Sequence, residues 1–219
     1  MSERIPKIIH FCWFGGGEYS PLMQKCMKTW QVYCPEWEIK KWDETNIPDD
    51  IPYLKHALEK KLYAFASDFM RFYALREYGG VYLDTDVEVI QNLSPLLEYT
   101  AFAASESRNG LMLNGAVIGG MPNAPFFQQI LKYYTEMRPI VFKTIPHVIT
   151  EIYLKDQKIL QVLDTETFYP YNPYDANQTV KQLMFCDITE NTLAIHHWHK
   201  TWKLSGWQKF MNSVKKRLK

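Results

Sequence analysis

No stretch of the sequence stays apolar for the roughly 20 residues that a helix needs to cross a bilayer. The opening MSERIPKIIHF also lacks the uninterrupted apolar core of a secretory leader. The expectation is a protein made and kept in the cytoplasm. An excess of charge of either sign is missing as well: 25 lysines and arginines stand against 24 aspartates and glutamates, which removes any general electrostatic reason to bind nucleic acid. Only four cysteines occur, Cys12, Cys26, Cys34 and Cys186, with no CxxC pair and no zinc-finger spacing. That pattern argues against a disulfide framework and fits reduced, structural thiols. Internal repeats and low-complexity tracts are absent, so the chain reads as one domain over residues 1–206 followed by a basic tail, 207–219.

Core material is plentiful. The 219 residues are 47% hydrophobic and 15% aromatic, enough to fill one sizeable domain. Residues 7–14, KIIHFCWF, form an apolar run that ends in Gly15, Gly16 and Gly17, the pattern of a buried strand feeding a loop. Ser20 and Pro21 supply an N-cap and a first-turn proline for a helix to Tyr33, and a short strand follows at 38–42. Residues 53–78 read as a helical stretch broken in two, closed by the paired Gly79 and Gly80, which can provide a left-handed C-cap. One strand is expected over VYLDTDVEVI, residues 81–90, then strands at 101–105 and 115–118. Helices at 124–137 and 145–156 and strands at 159–162 and 193–199 complete an alternating α/β pattern. The tail GWQKFMNSVKKRLK sets basic residues beside Trp207, Phe210, Val214 and Leu218, an amphipathic pattern.

The chemistry concentrates at Asp84-Thr85-Asp86. Two carboxylates two residues apart, where a strand runs into a turn, can approach one cation from neighbouring directions. Magnesium and manganese favour oxygen ligands and complete their shells with phosphate oxygens and water. Alone, a DxD tripeptide is also what a solvated surface produces. Upstream, Asp68 and Arg71 lie at i and i+3 of one helix, close enough to act together on hydroxyls and phosphate, or merely to pair with each other.

Residues 64–88, AFASDFMRFYALREYGGVYLDTDVE, resemble the signature A-x-x-S-D-x-x-R-x-x-x-L-x-x-x-G-G-x-Y-x-D-x-D. It belongs to DXD-containing sugar transferases of capsular and lipopolysaccharide synthesis, to fungal-type initiating α-mannosyltransferases, and to the glucosyltransferase domains of large clostridial-type cytotoxins. IPKIIHFCWFGG and the HHWHKTW segment extend the resemblance over most of the chain. It implies a single GT-A-type nucleotide-sugar-binding domain, with a mixed, mostly parallel central sheet flanked by helices. It also implies a metal-dependent, retaining hexosyltransferase using Mn2+ or Mg2+ and a nucleotide-sugar donor. The signature is shared by users of UDP-sugars and GDP-mannose, and the expectation of a UDP-sugar and a polysaccharide acceptor rests on the short chain without a membrane segment or the added domains of a toxin.

Residue by residue, the resemblance places Trp13 against the donor base, although a core tryptophan would look the same. Asn46 falls near a donor-contacting asparagine, although turn formation accounts for it equally. Ser67, Asp68 and Arg71 are implied to hold ribose and sugar, with Tyr82 and Thr85 beside them. Asp84 faces ribose and sugar hydroxyls, and Asp86 is the direct metal ligand. The HHW segment puts His197 at the metal and Trp202 over the diphosphate, and strand alternation sets His197 and His199 on one face and His196 on the other. Asn114 and Glu106 are acceptor-side candidates. Two other readings stand beside this one: a non-catalytic nucleotide-sugar-binding protein, and a transferase with a protein acceptor. The basic tail either lies on an anionic membrane, where a lipid-linked acceptor would be found, or simply solubilises the end of the chain.

Overall fold

The computed structural model describes residues 4–108, 110–137, 139–174 and 188–199. Cys186, Trp202 and the tail 207–219 lie outside the described residues. Strand β1, Ile8–Cys12, leads through the glycine loop into helix α1, Pro21–Tyr33. Ser20 caps that helix as expected, its hydroxyl accepting the Met23 N–H at 3.3 Å. Strand β2, Glu38–Trp42, and helices α2, Pro52–Glu59, and α3, Tyr63–Tyr78, follow. Gly79 ends α3 at φ 65° and Gly80 continues at φ 107°, left-handed conformations that glycine adopts without strain. A side chain on Gly80 would also meet the Ile8 carbonyl at 2.6 Å.

The stretch 81–90 is not one strand. Strand β3, Gly80–Leu83, stops at the aspartate motif, which turns, with the Val87 N–H donating to the Asp84 carbonyl at 3.0 Å. Strand β4, Val87–Val89, then leaves the main sheet. The reason lies in its neighbours. The Trp30 indole of α1 donates to the Val87 carbonyl at 2.8 Å, and the Thr29 hydroxyl accepts the Val89 N–H at 2.9 Å. Helix α1 therefore fixes β4 where it cannot continue β3.

Strands β5, Ala101–Ser105, and β6, Leu113–Gly120, helices α4, Pro125–Glu136, and α5, Ile145–Lys155, and strands β7, Gln161–Leu163, and β8, Ala194–His196, complete the fold. The main sheet has the order β2-β1-β3-β6-β5-β7. Its parallel pairs are β1/β2, β1/β3 and β5/β7, and β6 runs against both of its neighbours. This is the mixed, mostly parallel sheet expected from the sequence. Strands β4 and β8 form a separate antiparallel pair.

Side-chain alternation divides the core between the sheet's faces. Tyr82 and Ala103 join the layer of α2, α3, α4 and α5, whereas Val81, Leu83, Phe102 and Ala104 pack with Trp30 of α1 and with β4 and β8. His10 sits fully buried within β1. Its Nε2 lies 2.7 Å from the Gly79 carbonyl and its Nδ1 accepts the Trp42 indole N–H at 3.1 Å, which fixes a neutral ring protonated at Nε2.

Burial lowers the His10 pKa to about 4, against a partial opposing effect of the bond to Gly79. The unfolded chain therefore binds the extra proton as pH falls below about 6.5, and the native chain does not until about 4. Stability contributed by neutral His10 is complete above that window and is lost as pH falls through it. Between pH 7.5 and pH 5 this loss amounts to about 2 kcal/mol. Urea unfolding at both pH values checks it: His10→Gln, whose neutral amide cannot titrate, is expected to lose that much less on acidification than the parent chain.

Candidate active site

The Asp84 to Asp86 turn lies at the C-terminal end of β3, and helix α3 and strands β6 and β8 reach it. From α3, Arg71 enters the interior with almost no exposed surface. A guanidinium there is tolerable only when its N–H groups and charge are matched. Its Nη2 donates to Asp68 Oδ1 at 3.0 Å, its Nη1 to the Gly115 carbonyl of β6 at 2.7 Å, and its Nε to the Ser67 carbonyl at 3.4 Å. Nη1 also stands 3.5 Å from Asp84 Oδ1, and the guanidinium lies 4.5 Å from the centre of the Tyr82 ring. The Tyr82 hydroxyl donates to the same Asp84 oxygen at 2.9 Å. Burial pushes the Asp68 carboxyl up to about 7, against the pull of Arg71.

Gly115 makes this approach available. A side chain there would stand 2.6 Å from Ile145 Cγ2 of α5 and 3.2 Å from Arg71 Nη1, so only glycine admits both neighbours. One turn along α5, the Thr150 hydroxyl accepts the Leu113 N–H at 2.9 Å and fixes the start of β6.

Asp86 is 6% exposed and receives its partners from the far end of the sequence. Strand β8 pairs with β4 in the register Val87↔His196, which brings His196 Nε2 to 3.5 Å from Asp86 Oδ2. The His199 backbone N–H donates to the same oxygen at 2.7 Å. Burial works to raise the Asp86 carboxyl, but His196 and that N–H outweigh it and hold the pKa below the ordinary carboxylate range. Asp84, Asp86 and His196 each offer a ligand atom, all within 4.8 Å of one another. The Nδ1 of His196 is buried without a hydrogen-bond partner among the described residues. Two carboxylates and an imidazole suit manganese or magnesium chemically.

A family model described as a glycosyltransferase sugar-binding region containing DXD motif matches residues 20–103. Over those residues the chain is similar to DXD-type glycosyltransferases. Inositol phosphoceramide mannosyltransferase 3 of Schizosaccharomyces pombe is 31% identical over 137 residues, covering 60% of this chain and 38% of that protein. The chain spans between 38% and 55% of the length of the first curated relatives it matches. Among solved structures, the PaToxG glycosyltransferase superposes with a TM-score of 0.57 at 18% identity, over 71% of this chain and 73% of that one. The galactosyltransferase LgtC, solved with donor and acceptor sugar analogs, gives 0.52 at 15% identity over 95% of both chains. These likenesses establish the GT-A fold of the domain.

Within this domain the expected residues divide. Asp68, Arg71, Tyr82, Asp84 and Asp86 come together around one turn, with Thr85 buried between the aspartates. His197 does not join them; its neighbour His196 does. The pairing with β4 turns His196 toward Asp86, whereas His197 Nε2 bonds Glu88 Oε2 at 2.7 Å on the outer side. Asn46 is occupied by the turn after β2, its Oδ1 accepting the Asp43 N–H at 2.9 Å and its Nδ2 donating to the Lys41 carbonyl at 2.8 Å. The Ser67 hydroxyl donates back to the Tyr63 carbonyl at 3.0 Å. Trp13 is half-buried at the glycine loop, its indole N–H bonded to the Gly17 carbonyl at 2.7 Å and its ring 4.7 Å from that of Tyr19. The ring also packs in part against the core.

Asn114 and Glu106 face one another across the β5–β6 bulge, the Asn114 amide donating to Glu106 Oε2. Asn114 Oδ1 accepts the Ala116 N–H at 2.7 Å and lies 3.4 Å from the Tyr169 hydroxyl, a contact that no sequence signal announced.

Replacing Arg71 by methionine leaves Asp68 and the Gly115 carbonyl without their buried donor, and breaking such a pair costs about 3–5 kcal/mol. The expected outcome is a lower urea midpoint by that equivalent; an unchanged midpoint would mean that the guanidinium does not hold the cluster.

Proposed function

We propose that the chain is a retaining glycosyltransferase that moves a hexose from a nucleotide-sugar donor to a hydroxyl of a saccharide acceptor in polysaccharide synthesis. The observation that carries this reading is the convergence of Asp84, Asp86 and His196 within 4.8 Å beside the buried Asp68 and Arg71 pair. The site holds three carboxylates against one guanidinium, which contacts Asp68 and Asp84. A diphosphate would be repelled by such a group alone, and a divalent cation, Mn2+ or Mg2+, would supply the positive charge that neutralises the departing nucleoside diphosphate. Asp86 and His196 would hold it, with Asp84 at its side.

The chain's own groups divide the remaining work. Asp68 accepts from sugar hydroxyls, and Arg71 fixes both Asp68 and Asp84 so that they meet the donor already oriented. Trp13, anchored through Gly17, stacks on the base, and a uracil is our first expectation. Ser67, Tyr82 and Thr85 border the ribose and sugar, and the sequence resemblance assigns Trp202 to the diphosphate. Asn114 and Glu106 lie on the acceptor side. The acceptor oxygen attacks the anomeric carbon on the face from which the diphosphate departs, and its proton passes to the leaving phosphate oxygen, so no protein nucleophile is required. Asn46 is assigned to its turn.

The name of the Schizosaccharomyces pombe relative favours one second reading of the donor, a mannosyl nucleotide, with the same residues in the same roles. Similarly, a lipid-linked acceptor reached through the tail 207–219 is a reading that vesicle co-sedimentation of the full chain addresses. No described helix is long and apolar enough to cross a membrane.

The test is donor hydrolysis and transfer across a panel of UDP- and GDP-sugars with Mn2+ or Mg2+, for the parent chain and Asp86→Asn. The expected outcome is turnover of one donor that depends on the divalent ion and falls by about 100-fold or more in the variant, equivalent to about 3 kcal/mol of transition-state stabilisation. Equal turnover by both chains without added metal would sink the reading, and tight donor binding with no turnover would favour a non-catalytic binding protein.

A further inference from the structure

The segment that follows β8 is built in a way that the reaction alone does not explain. Trp198 has φ 56°, a left-handed conformation that a bulky side chain rarely adopts. Such strain persists only where the surroundings impose it. Three contacts do so here. The Trp198 indole N–H donates to the Tyr171 carbonyl at 2.6 Å. Its ring lies 4.3 Å from the His196 ring and 5.9 Å from that of Tyr169. The reversal of the chain at Trp198 also turns the next amide inward, where the His199 N–H reaches Asp86 Oδ2 at 2.7 Å.

A second fastening lies on the outer side. His197 Nε2 bonds Glu88 Oε2 at 2.7 Å, and the His197 backbone N–H donates to the Asp86 carbonyl at 3.0 Å. His197 and Trp198 therefore point to opposite sides of the strap, one gripping β4 and the other gripping the segment of Tyr169 and Tyr171. Between them the strap determines where His196 and Asp86 stand relative to each other. Without it, the restraints left on the imidazole would be the short β4–β8 pair of three residues each, the His196 N–H bond to the Phe168 carbonyl at 3.1 Å and the Tyr169 ring 5.9 Å away.

We propose that Trp198, assisted by the Glu88 and His197 pair, is the positioning element of the cation site. It closes the segment after β8 over the aspartate turn and holds His196 and Asp86 in the orientation that a divalent ion requires, touching neither ion nor substrate. This rests on the reading of Asp84, Asp86 and His196 as the cation site. Partners that orient ligand side chains typically change metal affinity by 10–100-fold when removed.

The experiment is a titration of the full chain with Mn2+ in the presence of a nucleoside diphosphate, read by the electron paramagnetic resonance of free Mn2+, for the parent, Trp198→Phe, Trp198→Ala and Glu88→Ala. Thermal unfolding of each chain is recorded alongside. The expected result is Mn2+ affinity lowered 10-fold or more in Trp198→Ala and by a smaller factor in Trp198→Phe, which keeps the ring over His196 but loses the indole donor. Saturating Mn2+ should return Trp198→Ala turnover to near the parental rate, an effect that a general packing defect would not produce. Glu88 is part-exposed, so Glu88→Ala tests the outer fastening in a chain that folds even if Trp198→Ala does not; a severalfold loss of affinity is expected. Parental Mn2+ affinity in Trp198→Ala, or in Glu88→Ala should the former not fold, would overturn the proposal while leaving the cation site standing. Failure of the parent chain itself to bind Mn2+ would overturn both.

Discussion

The placement of Arg71 governs the rest of the site. Its guanidinium cannot be buried between α3 and the sheet unless Asp68, Asp84 and the Gly115 carbonyl all meet it, and each of those requirements constrains a different element. Asp68 must share its helix face, Asp84 must stop at the end of β3, and β6 must carry a glycine where α3 and α5 both press on it. The left-handed Gly79 and Gly80 then set how abruptly α3 gives way to β3. A helix, two strands and a loop are thus located by one charged group whose isolation in the interior would be costly.

The second constraint is the break between β3 and β4. Had the chain continued as one strand, Asp84 and Asp86 would have pointed to one face of one sheet. Instead α1 captures β4 through Trp30 and Thr29, so the turn stands at the junction of two sheets. Asp84 belongs electrostatically to the Arg71 cluster, and Asp86 belongs to β8 and the strap beyond it. The two acids of one tripeptide are therefore oriented by parts of the chain more than a hundred residues apart, and the site exists only when the whole domain is assembled.

Much of this was legible in the sequence where the signal is local. Ser20 and Pro21 announced the start of α1, Gly79 and Gly80 the end of α3, and the alternation of strands and helices the layered fold. The spacing of Asp68, Arg71, Tyr82, Asp84 and Asp86 brought the site residues onto one short segment. What was not legible depends on pairing between distant strands. Nothing in VYLDTDVEVI reveals that α1 will take hold of its second half. Strand alternation correctly separates His196 from His197 but cannot say which face meets the aspartates, because that follows from the register with β4. Asn46 was ambiguous for a different reason: an asparagine two residues past an Asp-Glu pair makes a turn as readily as it meets a ligand. Trp198 stood in the HHW segment and Glu88 at the end of the signature segment without a role of their own, and those roles emerge only from the contacts that hold the end of β8.

The central claim is that one divalent ion binds at the junction of the two sheets between the aspartate turn and β8. The most direct test is anomalous diffraction at the manganese edge from crystals grown with Mn2+ and a nucleoside diphosphate. The account predicts a single strong peak within bonding distance of Asp86 and His196, with diphosphate oxygens on its open side. A peak bound to His197 and Glu88 instead, or a diphosphate seated against Arg71 with no metal beside it, would contradict it.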